Sequence, residues 1–252
     1  MIVHCVVAGL AVAALATVAP NAGQTRQPLP DGTIPACFGV NIHFTGDNPQ
    51  LDMIADGGFR IIRMDLTWGS VEKQKGVYDF ANTGYDALSA GCLKRGIRLL
   101  YILCYSNRLH ESERSVRTEE GRQAYAAYAE AAARHFAGQG VIWEFWNEPN
   151  VAQYWKPEAN AADYVAMVKA AAPRIRAADP TGTLVAPALS TMDMKWLEDA
   201  FKHGLLEDVD AVTVHPYRDT YPEAVIPEYD TLRKLIAQTT LLRRRDNPDH
   251  DR

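Results

Sequence analysis

Val141-Ile142-Trp143-Glu144-Phe145-Trp146-Asn147-Glu148-Pro149-Asn150 is the stretch that decides the fold. Pro149 cannot donate to a strand ladder, so the apolar run ends there and leaves Asn147 and Glu148 at the rim. Strand alternation places Glu144, Trp146 and Glu148 on one face, with Trp143 and Phe145 on the other. Residues 119–137 upstream are rich in Ala and charge and close on Gly138 and Gly140. Downstream, residues 161–178 repeat that helical pattern and lead through Asp179-Pro180-Thr181-Gly182 into an apolar run at 183–188.

The same alternation extends in both directions. Strands are expected at residues 38–43, 60–65, 97–103, 141–146, 183–188 and 211–215, and helices at 51–56, 85–95, 119–137, 161–178 and 194–203. Glycine just past a helix end is the usual left-handed cap, and short apolar runs suit strands covered on both sides. Strand–helix alternation implies right-handed βαβ units and a parallel sheet, either doubly wound or closed into a barrel. No G-x-G-x-x-G follows the first strand, and no P-loop occurs. Strand after strand ends in polar side chains: Asn41 and His43, Arg63 and Asp65, Asn147 and Glu148, His215 and Tyr217. Barrel active sites are assembled at those carboxyl ends, so the expected fold is α/β, of the (β/α)8 TIM-barrel type. Six units fill residues 37–238; eight at that rate would need about 270 residues, and 14 remain. The chain is therefore expected to hold about six of eight units.

Composition agrees with one globular enzyme-sized unit. Of 252 residues, 47% are hydrophobic and 23% charged, which excludes disorder. A net charge of −5 argues against nucleic acid as a partner. Residues 2–19 form an almost unbroken apolar run, read as a signal peptide over 1–23, with an N-terminal anchor as the other reading. Residues 24–35 form a Pro-rich linker, residues 36–238 the partial barrel, and 239–252 a charged tail. The expected location is secreted or periplasmic, with no membrane association after signal cleavage. Cys5 falls in the leader; Cys37, Cys92 and Cys104 have no metal-site spacing and are expected as buried structural residues. Neither a metal nor a cofactor is implied.

A carboxyl group beside aromatic rings is partly desolvated, which favours its protonated form, so Glu148 is a candidate proton donor. Here the sequence resembles a known group. W-N-E-P-N at the fourth strand resembles the acid/base motif of clan A glycoside hydrolases, most closely family 39-like and cellulase-like members. Gly39-Val40-Asn41-Ile42-His43-Phe44 resembles the group's first strand. Residues 59–65 followed by Trp68, Val71-Glu72 and Gly76-Val77-Tyr78-Asp79-Phe80 resemble its second strand and loop, and His215-Pro216-Tyr217 its sixth-strand end.

The resemblance implies hydrolysis of a β-linked oligo- or polysaccharide with retention of configuration. Glu148 would be the general acid and then base, and Asn147 would hydrogen-bond the sugar 2-OH. Arg63 would tune the carboxylate nucleophile, although pairing with Glu144 or Asp65 is the other reading of its place. His215 and Tyr217 would sit between the carboxylates, and His43 and Asn41 would contact sugar hydroxyls. Trp68, Trp155, Tyr154 and Tyr105 would be stacking platforms, with packing roles as the rival reading for the two tryptophans. In the resembled group the nucleophile is a Glu ending the seventh strand, and none is legible here. The chain is accordingly expected to be a truncated form with impaired hydrolysis, or a carbohydrate-binding pseudoenzyme. Inversion by Asp65 and Glu148 is the remaining catalytic reading.

Overall fold

The computed structural model describes residues 37–246. The expected leader and linker, and the last six residues of the expected tail, lie outside them. Among the described residues six strands form one parallel sheet: β1 (Gly39–Asn41), β2 (Ile61–Thr67), β3 (Arg98–Cys104), β4 (Ile142–Phe145), β5 (Thr183–Ser190) and β6 (Ala211–His215). Their order in the sheet is their order in the chain. Helices α1 (Gln50–Asp56), α2 (Tyr85–Lys94), α3 (Glu119–His135), α4 (Ala161–Ala178) and α5 (Met194–Lys202) connect them, and α6 (Ile226–Asp246) follows. These are six consecutive βα units of a barrel-type α/β fold. Helix α6 runs without a break across the boundary expected at residue 238.

Alternation sorts each strand into two apolar layers. Leu99, Tyr101 and Leu103 of β3 join the large outer cluster between sheet and helices. Leu100, Ile102 and Cys104 point inward with Ile61, Ile142, Val185 and Ala211. Covering both faces explains why the strands read as continuous apolar runs. Gly39 is required where β1 meets β2, because a Cβ there would lie 2.9 Å from both Cβ and O of Ile61. Three helices, α3, α4 and α5, start on side-chain caps: Thr118 accepts from Gly121 N, Asn160 from Asp163 N and Asp193 from Trp196 N.

A set of tyrosines ties the helices to the strand ends. Tyr85 of α2 donates to the carbonyl of Asp65 at 2.8 Å, and Tyr128 of α3 to that of Leu66. Tyr125 of α3 reaches the carbonyl of Leu103 at 2.7 Å, and Tyr164 of α4 that of Phe145 at 2.8 Å. Burial pushes the hydroxyls of Tyr125, Tyr128 and Tyr164 well above the usual tyrosine pKa. They remain donors, and they fix carbonyls near the ends of β2, β3 and β4. Cys92 and Cys104 are buried as expected, whereas Cys37 is half-buried.

Candidate active site

At the carboxyl end of the sheet lies a cavity of about 270 Å3, lined among others by Asn41, His43, Arg63, Asn147, Glu148, Tyr154, His215 and Tyr217. All eight of these were singled out from the sequence. Its foundation is Arg63, which projects from the inner face of β2. Arg63 Nε donates to Glu144 Oε2 at 2.7 Å, and Glu144 is only 2% exposed. Burial disfavours the guanidinium charge, but Glu144 beside it more than offsets this and holds Arg63 above its usual pKa. The pairing left open by the sequence is thus with Glu144, on the inner face of β4.

The remaining guanidinium nitrogens orient two amides. One terminal nitrogen donates to Asn41 Oδ1 at 3.2 Å, the other to Asn147 Oδ1 at 2.8 Å. Arginine is always a donor, so both side-chain oxygens must face it and both amide nitrogens must face away. Asn147 Nδ2 then donates to the Tyr105 hydroxyl at 3.1 Å, and Asn41 Nδ2 lies 3.2 Å from His43 Nε2. Glu148 is anchored from the opposite side, its Oε1 lying 2.8 Å from His215 Nδ1. Tyr217 follows, with its phenol raised above the usual pKa by partial burial and then by the charge of Glu148.

Backbone conformation at the end of β4 departs from the expected alternation. Trp146 has φ +65° and Glu148 φ +55°. The chain turns at Trp146, whose indole joins the outer cluster beside Trp143 and Phe145 instead of following Glu144 inward. Its Nε1 donates to the carbonyl of Tyr154 at 3.0 Å, and its ring meets Trp155 at 5.0 Å. The aromatic rings expected beside Glu148 are therefore not indoles. Its neighbours in the cavity wall are imidazole and phenol.

The stacking roles expected of two tryptophans are overturned. Trp68 and Trp155 have no exposed surface and cannot stack on a sugar. Trp68 packs against His110 and Tyr128 and donates to Glu72 Oε2 at 2.5 Å, while Trp155 lies among Trp146 and Tyr164. The aromatic walls are Tyr154 and Tyr217, with Tyr105 stacked on Tyr154 at 5.9 Å and capped by Arg114. Asp65 accepts a hydrogen bond from the Cys104 thiol at 3.4 Å and does not line the cavity. Cys37, expected to be buried, lines the cavity instead. Among the described residues Glu148 is the single carboxylate in that lining, and no group of three His, Cys, Asp or Glu could hold a metal ion.

A parallel βα sheet with an Asn-Glu pair at the end of its fourth strand, braced by arginine and histidine, defines a clan A glycoside hydrolase. The sequence model of the family described as cellulase (glycosyl hydrolase family 5) matches residues 29–239, and the chain belongs to that family. A β-xylosidase of Geobacillus stearothermophilus is 29% identical over 118 aligned positions, covering 39% of this chain and 23% of that enzyme. A family 39 glycoside hydrolase structure from Bacteroides cellulosilyticus WH2 superposes with a TM-score of 0.62 at 27% identity, over 72% of this chain and 38% of that one. A family 39 β-xylosidase structure from Caulobacter crescentus gives a TM-score of 0.61 at 23% identity, over 79% and 49%. The chain thus spans less than half the length of each of these relatives.

Proposed function

We propose that the chain carries the proton-donor side of a retaining glycosidase centre acting on a β-linked, xylan-type glycan. The observation that carries this is the placement of two consecutive side chains, Asn147 and Glu148, in one cavity with separate anchors. Glu148 protonates the glycosidic oxygen as its bond to the anomeric carbon breaks, and afterwards takes a proton from the attacking water. Asn147 has its oxygen committed to Arg63, so its amide nitrogen is the group offered to the sugar 2-oxygen. That contact strengthens as charge develops on the ring. The β-xylosidase name of the relatives supports a xylan-type substrate. Export directed by residues 1–23 belongs to the same reading.

A retaining route needs a second carboxylate about 5–5.5 Å from the first. In this proposal residues 37–246 do not supply it to the cavity, and hydrolysis by this polypeptide alone is impaired. Added formate can then stand in: it attacks the anomeric carbon, the leaving oxygen takes the proton of Glu148, and water hydrolyses the glycosyl formate. The test incubates purified 1–252 with xylobiose. Xylose release should depend on formate and vanish in Glu148→Gln. Release without formate that Glu148→Gln abolishes would overturn the missing-carboxylate part; release indifferent to Glu148→Gln would overturn the role of Glu148. A single lining carboxylate also favours a second reading, a sugar-binding pseudoenzyme. It predicts saturable xylobiose binding that survives Glu148→Gln, with no cleavage even in formate.

A further inference from the structure

The loop from the end of β3 to α3 is tied down at several points. Asn107 Nδ2 donates to the carbonyl of Glu72 at 2.8 Å, and the buried Glu111 closes a turn by accepting from Arg117 N and Thr118 N at 3.0 Å each. Arg114 stands exposed inside that turn, its guanidinium carbon 4.9 Å from the centre of the Tyr105 ring. Its carbonyl accepts from Lys156 N at 2.9 Å, which brings the loop after β4, with the exposed Lys156, alongside. Tyr105 in turn accepts from Asn147 Nδ2 and lies nearly parallel to Tyr154 in the cavity wall. Two cations therefore sit on the loops that frame the Asn147 side of the cavity.

Their charge is unmatched. Arg63, Arg95, Arg117, Arg122, Arg176 and Arg218 each meet a carboxylate. Among the described residues the side chain of Arg114 has the ring contact alone, and Lys156 has no ion pair. Glu113 and Glu158, close by in the chain and both exposed, pair with neither. A cation–π contact uses the charge of a guanidinium and none of its five N–H donors, so the fork stays free while the ring and the pinned loop limit its movement. In a chain of net charge −5, an arginine held in place without an acid is a local exception. A planar fork of this kind matches a carboxylate through two parallel hydrogen bonds.

We propose that Arg114, with Lys156 beside it, sets a preference for glycans that carry a carboxylate, as a uronic-acid branch does. The inference rests on the reading of the cavity as a sugar site given above. The neutral part of the glycan occupies the cavity, whose lining is mostly amide, phenol and imidazole with Glu148 as its one carboxylate. The branch leaves past Tyr154 and Tyr105 and meets the guanidinium of Arg114. Neither cation touches the reacting atoms; they select among substrates. Both are exposed, so the gain is modest: an ion pair in that setting is worth up to about fivefold in affinity.

Calorimetric titration of 1–252 compares xylotriose with xylotriose bearing one glucuronic acid branch. At low salt the branched sugar should bind about fivefold tighter, and the ratio should shrink at about 1 M salt, where charges are screened within about 3 Å. Arg114→Gln should bring the ratio near one, while Arg114→Lys, which keeps the charge, should retain part of it. Free glucuronate should bind about tenfold more weakly than the branched sugar, because the chain in the cavity holds the branch in place. Equal affinity for the two sugars, a ratio unmoved by Arg114→Gln, or free glucuronate that matches the branched sugar would each overturn the preference. Equal affinities together with xylose release that needs Glu148 would leave the proposed function standing. A ratio of about fivefold that Arg114→Gln abolishes, without any Glu148-dependent release in formate, would keep the preference and remove the proton-donor role. Binding of neither sugar would overturn both.

Discussion

Replacing Arg63 by methionine removes the cation from a carboxylate that water cannot reach. Glu144 is 2% exposed, and its hydrogen bond to Arg63 Nε is 2.7 Å long. Breaking a buried ion pair from one side costs about 3–5 kcal/mol, because the remaining charge stays buried without compensation. The amides of Asn41 and Asn147 also lose their donors, while Arg63 keeps 16% exposure, which tempers the effect. The expected loss for Arg63→Met is about 3 kcal/mol, a large fraction of an ordinary domain's stability. Urea unfolding monitored by tryptophan fluorescence measures it. The double variant Arg63→Met/Glu144→Met removes both charges and should recover about 2 kcal/mol of the single-variant loss. A single variant within about 1 kcal/mol of the parent, or a double variant no better than the single, would refute a buried pair that anchors the site.

Tyr164→Phe leaves the carbonyl of Phe145 without its 2.8 Å donor and should cost about 1–3 kcal/mol in the same assay. Alkaline unfolding should accompany tyrosine ionisation. Tyr125, Tyr128 and Tyr164 have native pKa values above the unfolded value near 10, so the native state binds more protons as pH rises past that point. Stability is then full below about pH 10 and falls above it, with absorbance at the phenolate band rising together with loss of far-ultraviolet circular dichroism. Gly121→Ala would place a Cβ 1.9 Å from Glu111 Oε1, which accepts from Arg117 N, Thr118 N and the Thr118 hydroxyl. Displacing it should loosen the start of α3 and cost about 1–3 kcal/mol, read as a lower thermal midpoint.

The alternation of strands and helices was legible because each strand is covered on both faces and each connection closes on a glycine or an Asp-Pro-Thr-Gly turn. Helix α4 and strand β6 fall on the expected residues. The polar cluster at the strand ends was legible for a similar reason: side chains with no place in an apolar layer gather at its rim. The tryptophans were misplaced because the sequence shows aromatic rings near Glu148 but not which layer takes them. That depends on the backbone turn at Trp146, which no residue type announces. Nor did the tyrosines of α3 disclose their function. Their hydroxyls serve carbonyls 22 and 62 residues away in the chain, a distance over which helical periodicity carries no information.

The same backbone turn explains how one strand end supplies two neighbouring groups to one cavity. In a regular strand Asn147 and Glu148 would point to opposite faces. Left-handed conformations at Trp146 and Glu148 break that rule, and Ala188 and Thr191 at the end of β5 share it, at φ +54° and +61°. Each such conformation costs on the order of 1 kcal/mol for a residue with a side chain and persists only where surroundings enforce it. Enforcement is visible at each point. Glu148 N donates to Ala188 O at 3.0 Å, and Ala188 N to the Thr213 hydroxyl at 2.8 Å. Asn150 pairs with the backbone of Ser190 through both its amide atoms, and Thr191 N donates to His215 O at 2.8 Å. These bonds join the ends of β4, β5 and β6 into one unit. The residues so joined hold Glu148 against His215, so the strain is concentrated around the candidate proton donor.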